Sequence, residues 1–341
     1  MLDSFAESHI GQRKINEDAC LIDESIGLYI VADGVGGLEK GEIASRLACE
    51  VVQDCIISGQ TLTESIYSAH RAIIKEVQRN SQKQGMATTI AAVLFNENAY
   101  EVAWVGDSRV YLWDNNLKLL TKDDSYVEML HENGHISFDE MERHPDRNII
   151  SQALGIQRKE IHISTNSGTL ERGRVLLLCT DGLYSITNEE NIVNELSHTN
   201  NVSKLTQQLV DIAVNKEGKD NISLIVIKSE VNTYDDMEVV EPKIVRVYDK
   251  ERRKMVSNTI KTAAIDKFSQ ETPVVLTDDK IVDPELIDQT VLNDLSKEEI
   301  AELDKASRSK IVKSTHTNNY IVPITMAAFL LLFLIIILVL L

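Results

Sequence analysis

Two rhythms of apolar residues alternate along the first 229 positions of the chain. Runs that are apolar at almost every position, at 19–23, 28–32, 88–95, 100–105, 110–113, 161–165, 175–179 and 222–227, are bounded by Gly, Asp and Asn and predict strands. Ala44, Leu47, Ala48, Val51, Val52 and Cys55 recur with a helical period and predict a helix over 43–57; further helices are expected at 62–79, 189–196 and 202–214. Strands predominate, and 88–95, 100–105 and 110–113 follow one another so closely that they read as a meander. This grouping predicts an α+β fold of antiparallel sheets covered by helices, rather than a doubly wound parallel sheet.

The pattern changes near residue 230. From 230 to 319 charged and polar residues dominate, and four of the five prolines lie there or beyond. The stretch reads as an acidic, largely flexible linker, with short helices expected at Asp283-Pro284 and at the capping-box sequence SKEE of 296–299. Residues 320–341, YIVPITMAAFLLLFLIIILVLL, carry no charge. As a helix they would span ~33 Å, enough for a hydrocarbon core of ~30 Å. Lys305, Arg308, Lys310 and Lys313 precede them, which places the preceding chain on the cytoplasmic side. The expected organisation is a folded domain at 1–229, a linker at 230–319 and a transmembrane helix at 320–341, a single-pass tail anchor for a cytoplasmic body.

Composition removes several function classes. With 43% hydrophobic and 26% charged residues the 341-residue chain is globular, and a formal net charge of -18 opposes a nucleic-acid partner. The four cysteines, Cys20, Cys49, Cys55 and Cys179, have neither CxxC nor His-spaced partners, so neither a zinc site nor a disulfide framework is expected. The N-terminal MLDSFAESHIGQRK lacks the apolar stretch of a signal peptide.

The chemistry lies at strand ends. Apolar strands run into Asp33-Gly34, Gly106-Asp107 and Asp181-Gly182, and Gly218-Lys219-Asp220 leads into another strand. A single Asp-Gly pair is an ordinary turn. Four carboxylates emerging from strand ends can converge on one rim, where they repel unless a cation sits among them; Mg²⁺ and Mn²⁺ prefer such oxygen ligands. Glu17 and Asp18 add two more acids, and Arg13 is the side chain suited to grip a phosphate beside metals.

In order, RKINED (13–18), VADGVGG (31–37), MATT (86–89), WVGDSR (104–109), LLLCTDGL (176–183) and KDNIS (219–223) resemble the metal-dependent PP2C-type (PPM) protein serine/threonine phosphatases, the bacterial ones especially. Residues 125–155 are similar to that family's mobile flap and the segment after it. The resemblance implies an αββα sandwich with two Mn²⁺ or Mg²⁺ ions in a channel between sheet edges. It implies that Asp33 bridges the ions, that the Gly34 carbonyl binds one, and that Asp181 and Asp220 complete the ligands of the second. Asp107 with Asp181 would hold a third ion, as in bacterial members, while Glu17 and Asp18 support the site through water. Arg13 would clamp phosphate. The implied reaction is hydrolysis of phosphoserine or phosphothreonine by in-line attack of a metal-bridging water or hydroxide, with Arg13, Asp33 and Asp181 as its catalytic residues. The implied partners are phosphorylated proteins, a serine/threonine kinase and its substrates at the membrane. Such catalysis suits a reaction among the slowest known uncatalysed, and cations offset the acidic background that would repel a phosphoprotein.

Three positions depart from the family pattern. Val35 stands where many eukaryotic members have a histidine that donates a proton to the leaving group, Asp124 stands in the family's Asp-His-Ser element, and Ala87 replaces a glycine. Val35 and Asp124 motivate the alternative of a catalytically inactive PPM-fold binding module or scaffold held at the membrane, while Ala87 reads as a packing detail. His131, His135 and His144 of the flap read as solvent-exposed, Trp104 and Trp113 as core, and Cys179 as a packed small hydrophobe.

Overall fold

The computed structural model describes residues 2–35, 40–80, 85–156, 161–216, 218–230, 239–257, 276–277 and 280–281. The chain divides into two units, Met1–Ile287 and Asp288–Leu341. The second unit, with the expected membrane helix at 320–341, lies outside the described residues, as does Asp283-Pro284. Among the described residues no helix is long and apolar enough to cross a membrane.

The strands in chain order are β1 (Leu2–His9), β2 (Ala19–Asp23), β3 (Leu28–Ala32), β4 (Gly34–Val35), β5 (Ala87–Thr88), β6 (Ile90–Asn96), β7 (Ala99–Val105), β8 (Arg109–Trp113) and β9 (Leu117–Leu119). Then come β10 (Ser164–Thr169), β11 (Val175–Cys179), β12 (Ile222–Ser229), β13 (Arg246–Asp249), β14 (Lys254–Ser257), β15 (Leu276–Thr277) and β16 (Lys280–Ile281). The helices are α1 (Lys40–Ile57), α2 (Leu62–Arg79), α3 (Tyr126–Glu132), α4 (Phe138–Met141), α5 (Asp181–Tyr184), α6 (Glu189–His198) and α7 (Val202–Asn215). One antiparallel sheet has the order β1-β12-β11-β8-β9-β13-β14 and the other β10-β7-β6-β3-β2; β4 pairs with β5, and β15 with β16.

Three apolar layers hold these sheets together. Tyr29, Val31, Val93 and Val102 of one sheet meet Val110, Leu112, Leu176, Leu178 and Ile225 of the other. The alternate residues Leu28, Ile30 and Ala32 face α1 and α2, and Leu177, Cys179, Leu224 and Val226 pack on α6 and α7. Strands buried on both faces explain why their sequences read as continuous apolar runs without alternation. The expected αββα sandwich is thus present. Helix α2 starts where its sequence directs: the Thr61 hydroxyl accepts the Glu64 N–H at 3.3 Å while the Glu64 carboxylate accepts that of Thr61 at 2.9 Å.

Four local expectations are corrected. The meander is split: β6 pairs with β7, but β8 crosses to the other sheet and pairs with β11. Gly106, at φ +102°, makes the corner, a conformation for which L side chains are poorly suited. The run expected at 161–165 pairs only from Ser164 onward, and the one at 88–95 breaks at Thr89. β1, whose polar alternation hid it, pairs along its full length with β12.

The fourth correction concerns the linker, because residues 239–257 are built into the body. β13 pairs with β9 and β14 with β13, and Tyr248 and Met255 enter the core beneath α6. This hairpin is short and isolated in a polar stretch, so its local pattern is weak; tertiary pairing makes it a strand. Truncating Tyr248, 4% exposed, to alanine is expected to lower unfolding free energy by about 3 kcal/mol in urea titrations. A flexible linker at this position predicts no change.

Candidate metal centre

The six acids of the sequence reading are positioned by backbone bracing rather than by their own strands alone. Asp33 follows β3, and its carbonyl accepts the Thr89 N–H at 2.8 Å and the Thr88 hydroxyl at 2.9 Å, while its N–H donates to Thr89 Oγ1 at 3.1 Å. Thr89 Oγ1 in turn lies 2.8 Å from Ser108 Oγ, so two of the quoted motifs, MATT and GDSR, are stitched beside Asp33 and Asp107. Asp18 accepts the Thr180 hydroxyl at 2.9 Å, which ties the N-terminal acids to the residue preceding Asp181. Asn221, next to Asp220, accepts the Glu17 N–H at 2.8 Å and donates to the carbonyls of Ile10 and Ile15 at 2.9 and 3.0 Å. The segment carrying Arg13, Glu17 and Asp18 is therefore lashed to the loop carrying Asp220.

Two glycines permit this closeness. A Cβ on Gly34 would stand 2.3 Å from the Gly41 carbonyl oxygen, and one on Gly182 would stand 1.9 Å from that of Asn221. Neither position has room for a side chain.

The carboxylates sense one another. Burial, then Asp18, Asp181, Asp107 and Asp220, hold the Asp33 carboxyl well above the usual range, and Asp181 is raised by burial together with Asp107, Asp220 and Asp18. Burial pushes Asp18 up to about 7, and burial with the neighbouring Asp123 pushes Asp107 up to about 7. Arg13 reaches Asp220 at 2.9 Å. Glu17 Oε1 accepts the N–H of Gly41, the residue packed against Gly34, at 3.1 Å. Among the described residues no group of three or more His, Cys, Asp or Glu side chains is drawn together closely enough to hold an ion. The structure thus brings Asp18, Asp33, Asp107, Asp181 and Asp220 into one electrostatic neighbourhood, with Arg13 at its edge.

The donor set fits a hard divalent cation. Asp18 Oδ1 and Asp181 Oδ1 are buried without a hydrogen-bond partner, an arrangement that costs free energy unless a positive charge meets it. All the candidate donors are oxygens.

Residues 6–223 match the protein phosphatase 2C family. The chain belongs to that family. It is 32% identical over 230 residues to the serine/threonine protein phosphatase PstP of Mycobacterium tuberculosis, covering 65% of this chain and 43% of that protein. The match therefore spans less than half the length of PstP. It is also 30% identical to the serine/threonine phosphatase stp of Listeria welshimeri, covering 59% of this chain and 84% of that one. The crystal structure of the M. tuberculosis PstP/Ppp aligns with TM-score 0.63 at 31% identity, over 67% of this chain and 99% of that chain. A structure of the PstP catalytic domain in complex with two manganese ions aligns with TM-score 0.59 at 29% identity, over 70% of this chain and 99% of that chain.

Several residues around these acids escaped the sequence reading. Arg109 forks onto Asp123 at 2.7 and 3.0 Å, and its guanidinium lies 3.6 Å from the Tyr184 ring centre. Tyr184 donates its hydroxyl to the Asp107 carbonyl at 3.0 Å, so Arg109, Asp123 and Tyr184 brace Asp107 from behind. Asp124, in the place of the family's histidine, accepts the Gly106 N–H at 2.9 Å, and burial raises its carboxyl to about 7. It works as a fastener of the Gly106 corner. Val35 packs with Ala87, Ile150, Ala153 and Ile156, an apolar seam that explains both Val35 and Ala87. Burial raises the Cys179 thiol far above its usual range, consistent with a packed hydrophobe. His131 Nδ1 lies 3.1 Å from the Ile136 carbonyl and so helps shape the flap turn, which the exposed-bystander reading did not foresee.

These shifts set a pH dependence. The folded carboxyls of Asp18, Asp107 and Asp124 keep their protons up to about 7, whereas the unfolded chain releases them near 3.8. The folded state binds more protons between those values, so this contribution to stability is full below the lower value and is lost as pH rises through the upper. In chelator, Tm is expected to fall between about pH 4 and about pH 7. Mn²⁺ displaces the protons, so its rise in Tm is expected to be larger at the higher pH. A chelated protein whose Tm climbs over that interval would show that the acids do not crowd.

Proposed function

We propose that the chain is a divalent-metal-dependent protein serine/threonine phosphatase. The single observation that carries the reading is the cluster of mutually perturbed carboxylates, Asp33 and Asp181 foremost, at one rim of a sandwich that belongs to the protein phosphatase 2C family. The manganese-bound PstP structure supports the cofactor.

In this reading Asp33, Asp181 and Asp220, with the Gly34 carbonyl, would hold two Mn²⁺ or Mg²⁺ ions, and Asp107 with Asp181 a third. Bound there, the ions supply Lewis acidity and bring a water to nucleophilic strength near neutral pH. Asp33 and Asp181 would release their protons to the ions, and the Asp33 backbone is already fixed by Thr88 and Thr89. Asp18, whose buried Oδ1 has no hydrogen-bond partner, would support the site through water. Arg13 leaves Asp220 for the phosphoryl oxygens, where its planar fork aligns the ester for in-line displacement. Val35 carries no proton to the leaving serine or threonine oxygen.

Substitution of Asp33 by asparagine is expected to reduce kcat for a phosphothreonine peptide on the order of 10³-fold, and EDTA to abolish turnover reversibly. Isothermal titration with Mn²⁺ on the same variant should show at least one site lost, a readout independent of turnover. A wild-type chain that binds no Mn²⁺ and hydrolyses nothing would leave the inactive binding module as the correct reading.

The place of action is also proposed. The uncharged run at 320–341, preceded by Lys305, Arg308, Lys310 and Lys313, supports a helix that holds the catalytic body at the cytoplasmic face of a membrane, near a serine/threonine kinase and its substrates. The full chain is expected in the membrane fraction, resistant to carbonate extraction. Removal of 320–341 should release it without changing its kcat on the peptide; a full chain recovered in the supernatant overturns the anchor.

A further inference from the structure

Residues 239–257 lie beyond the stretch matched by the family, yet they bridge the edges of both sheets. Thr169 at the end of β10 donates its N–H to the Val240 carbonyl at 2.8 Å, and the Asn166 side chain donates to the Lys243 carbonyl at 2.7 Å and accepts the Lys243 N–H at 3.0 Å. The chain then crosses to the other sheet, where β13 extends the edge at β9.

From β13 a charged side chain enters the flap. Arg246 pairs with Glu128 of α3, and the two side chains are 5% and 7% exposed. The same guanidinium sits 4.8 Å from the Phe138 ring centre and 4.0 Å from Met141 Sδ, both on α4. On β14, Lys254 pairs with Asp139, also on α4. Helices of seven and four residues have little stability of their own, so their placement depends on such anchors. A buried ion pair is a weak source of net stability compared with apolar packing, but it fixes one geometry.

The two ends of the flap sit beside the acids. At its start Asp124 exchanges hydrogen bonds with Gly106, the residue before Asp107, at 2.9 and 3.0 Å. At its close Leu154 exchanges bonds with Thr88 at 2.8 and 3.1 Å, and the Thr88 hydroxyl holds the Asp33 carbonyl. The flap is therefore fastened at three places: beside Asp107, beside Asp33, and in its middle by the extension.

We propose that the 239–257 extension is a clamp that sets the position of the flap over the cleft, with Arg246 as its positioning residue. Admission of a phosphorylated peptide then depends on a segment outside the family domain. The proposal rests on the phosphatase reading of the cleft. A small aryl phosphate needs only the cleft itself, whereas a peptide also needs the flap in place, so the two substrates separate the clamp from the chemistry.

The test uses the full chain and its Arg246→Ala, Arg246→Lys and Lys254→Ala variants with Mn²⁺, assayed on a phosphothreonine peptide and on p-nitrophenyl phosphate. Arg246→Ala is expected to change the peptide KM about tenfold while kcat on p-nitrophenyl phosphate stays within about twofold of wild type. Arg246→Lys should recover part of the peptide KM, since it restores charge without the fork. Amides of 126–141 should exchange about tenfold faster in Arg246→Ala than in wild type. If Arg246→Ala does not fold, Lys254→Ala, whose ion pair is solvent-facing, carries the same measurements with the same expected directions. Unchanged flap exchange overturns the clamp, and so does faster exchange with an unchanged peptide KM. A wild-type chain inactive on both substrates refutes the phosphatase reading, and the exchange measurement still decides the clamp.

Discussion

Like charges crowded together in buried surroundings repel, and much of the structure around Asp18, Asp33, Asp107 and Asp181 resists that repulsion. None of these acids relies on its own strand for position. Asp33 is held through its backbone by Thr88 and Thr89, Asp18 through Thr180, and Asp107 through Tyr184 with Arg109 and Asp123 behind it. Two carboxylate oxygens, Asp18 Oδ1 and Asp181 Oδ1, are left buried without a hydrogen-bond partner. Such bracing holds an unfavourable charge distribution in readiness for a cation, at a cost met by the apolar layers on either side.

The acids lie where the chain changes sheets. β7 ends in one sheet and β8 begins in the other, and Gly106 turns between them with positive φ. The strand ends on either side of this corner supply Asp33 from one sheet and Asp181 and Asp220 from the other. The same corner receives Asp124, so the flap begins where the acids are gathered. Where the family pattern has histidine, a carboxyl with a raised pKa makes a backbone hydrogen bond, and its role here is architectural.

Charge works at two scales. The net charge of -18 is spread over the chain, but the cleft and the flap each carry a specific arginine. Arg13 is partly exposed and paired with Asp220, a contact it can exchange for another anion. Arg246 is buried against Glu128 and has no such freedom. One suits recognition and the other suits placement.

Continuous apolar runs marked the strands at 28–32 and 175–179 and the helix at 62–79 to the residue, because strands buried on both faces and amphipathic helices leave strong local patterns. The acids at strand ends were legible for the same reason: an apolar run broken by Asp-Gly stands out without knowledge of the fold. β1, the hairpin at 246–257 and the bracing by Arg109, Asp123 and Tyr184 were not legible. Each depends on partners far along the chain, Leu2 opposite Ser229 and Arg246 opposite Leu119, and no local period records such a pairing. The sequence by itself determined which residues are apolar, which turn and which carry charge. Only the tertiary structure decided that β8 leaves its meander, that Asp18, Asp33, Asp107 and Asp181 come near enough to perturb one another and that residues 239–257 pair with 126–141, because these follow from contacts between segments whose local preferences do not mention one another.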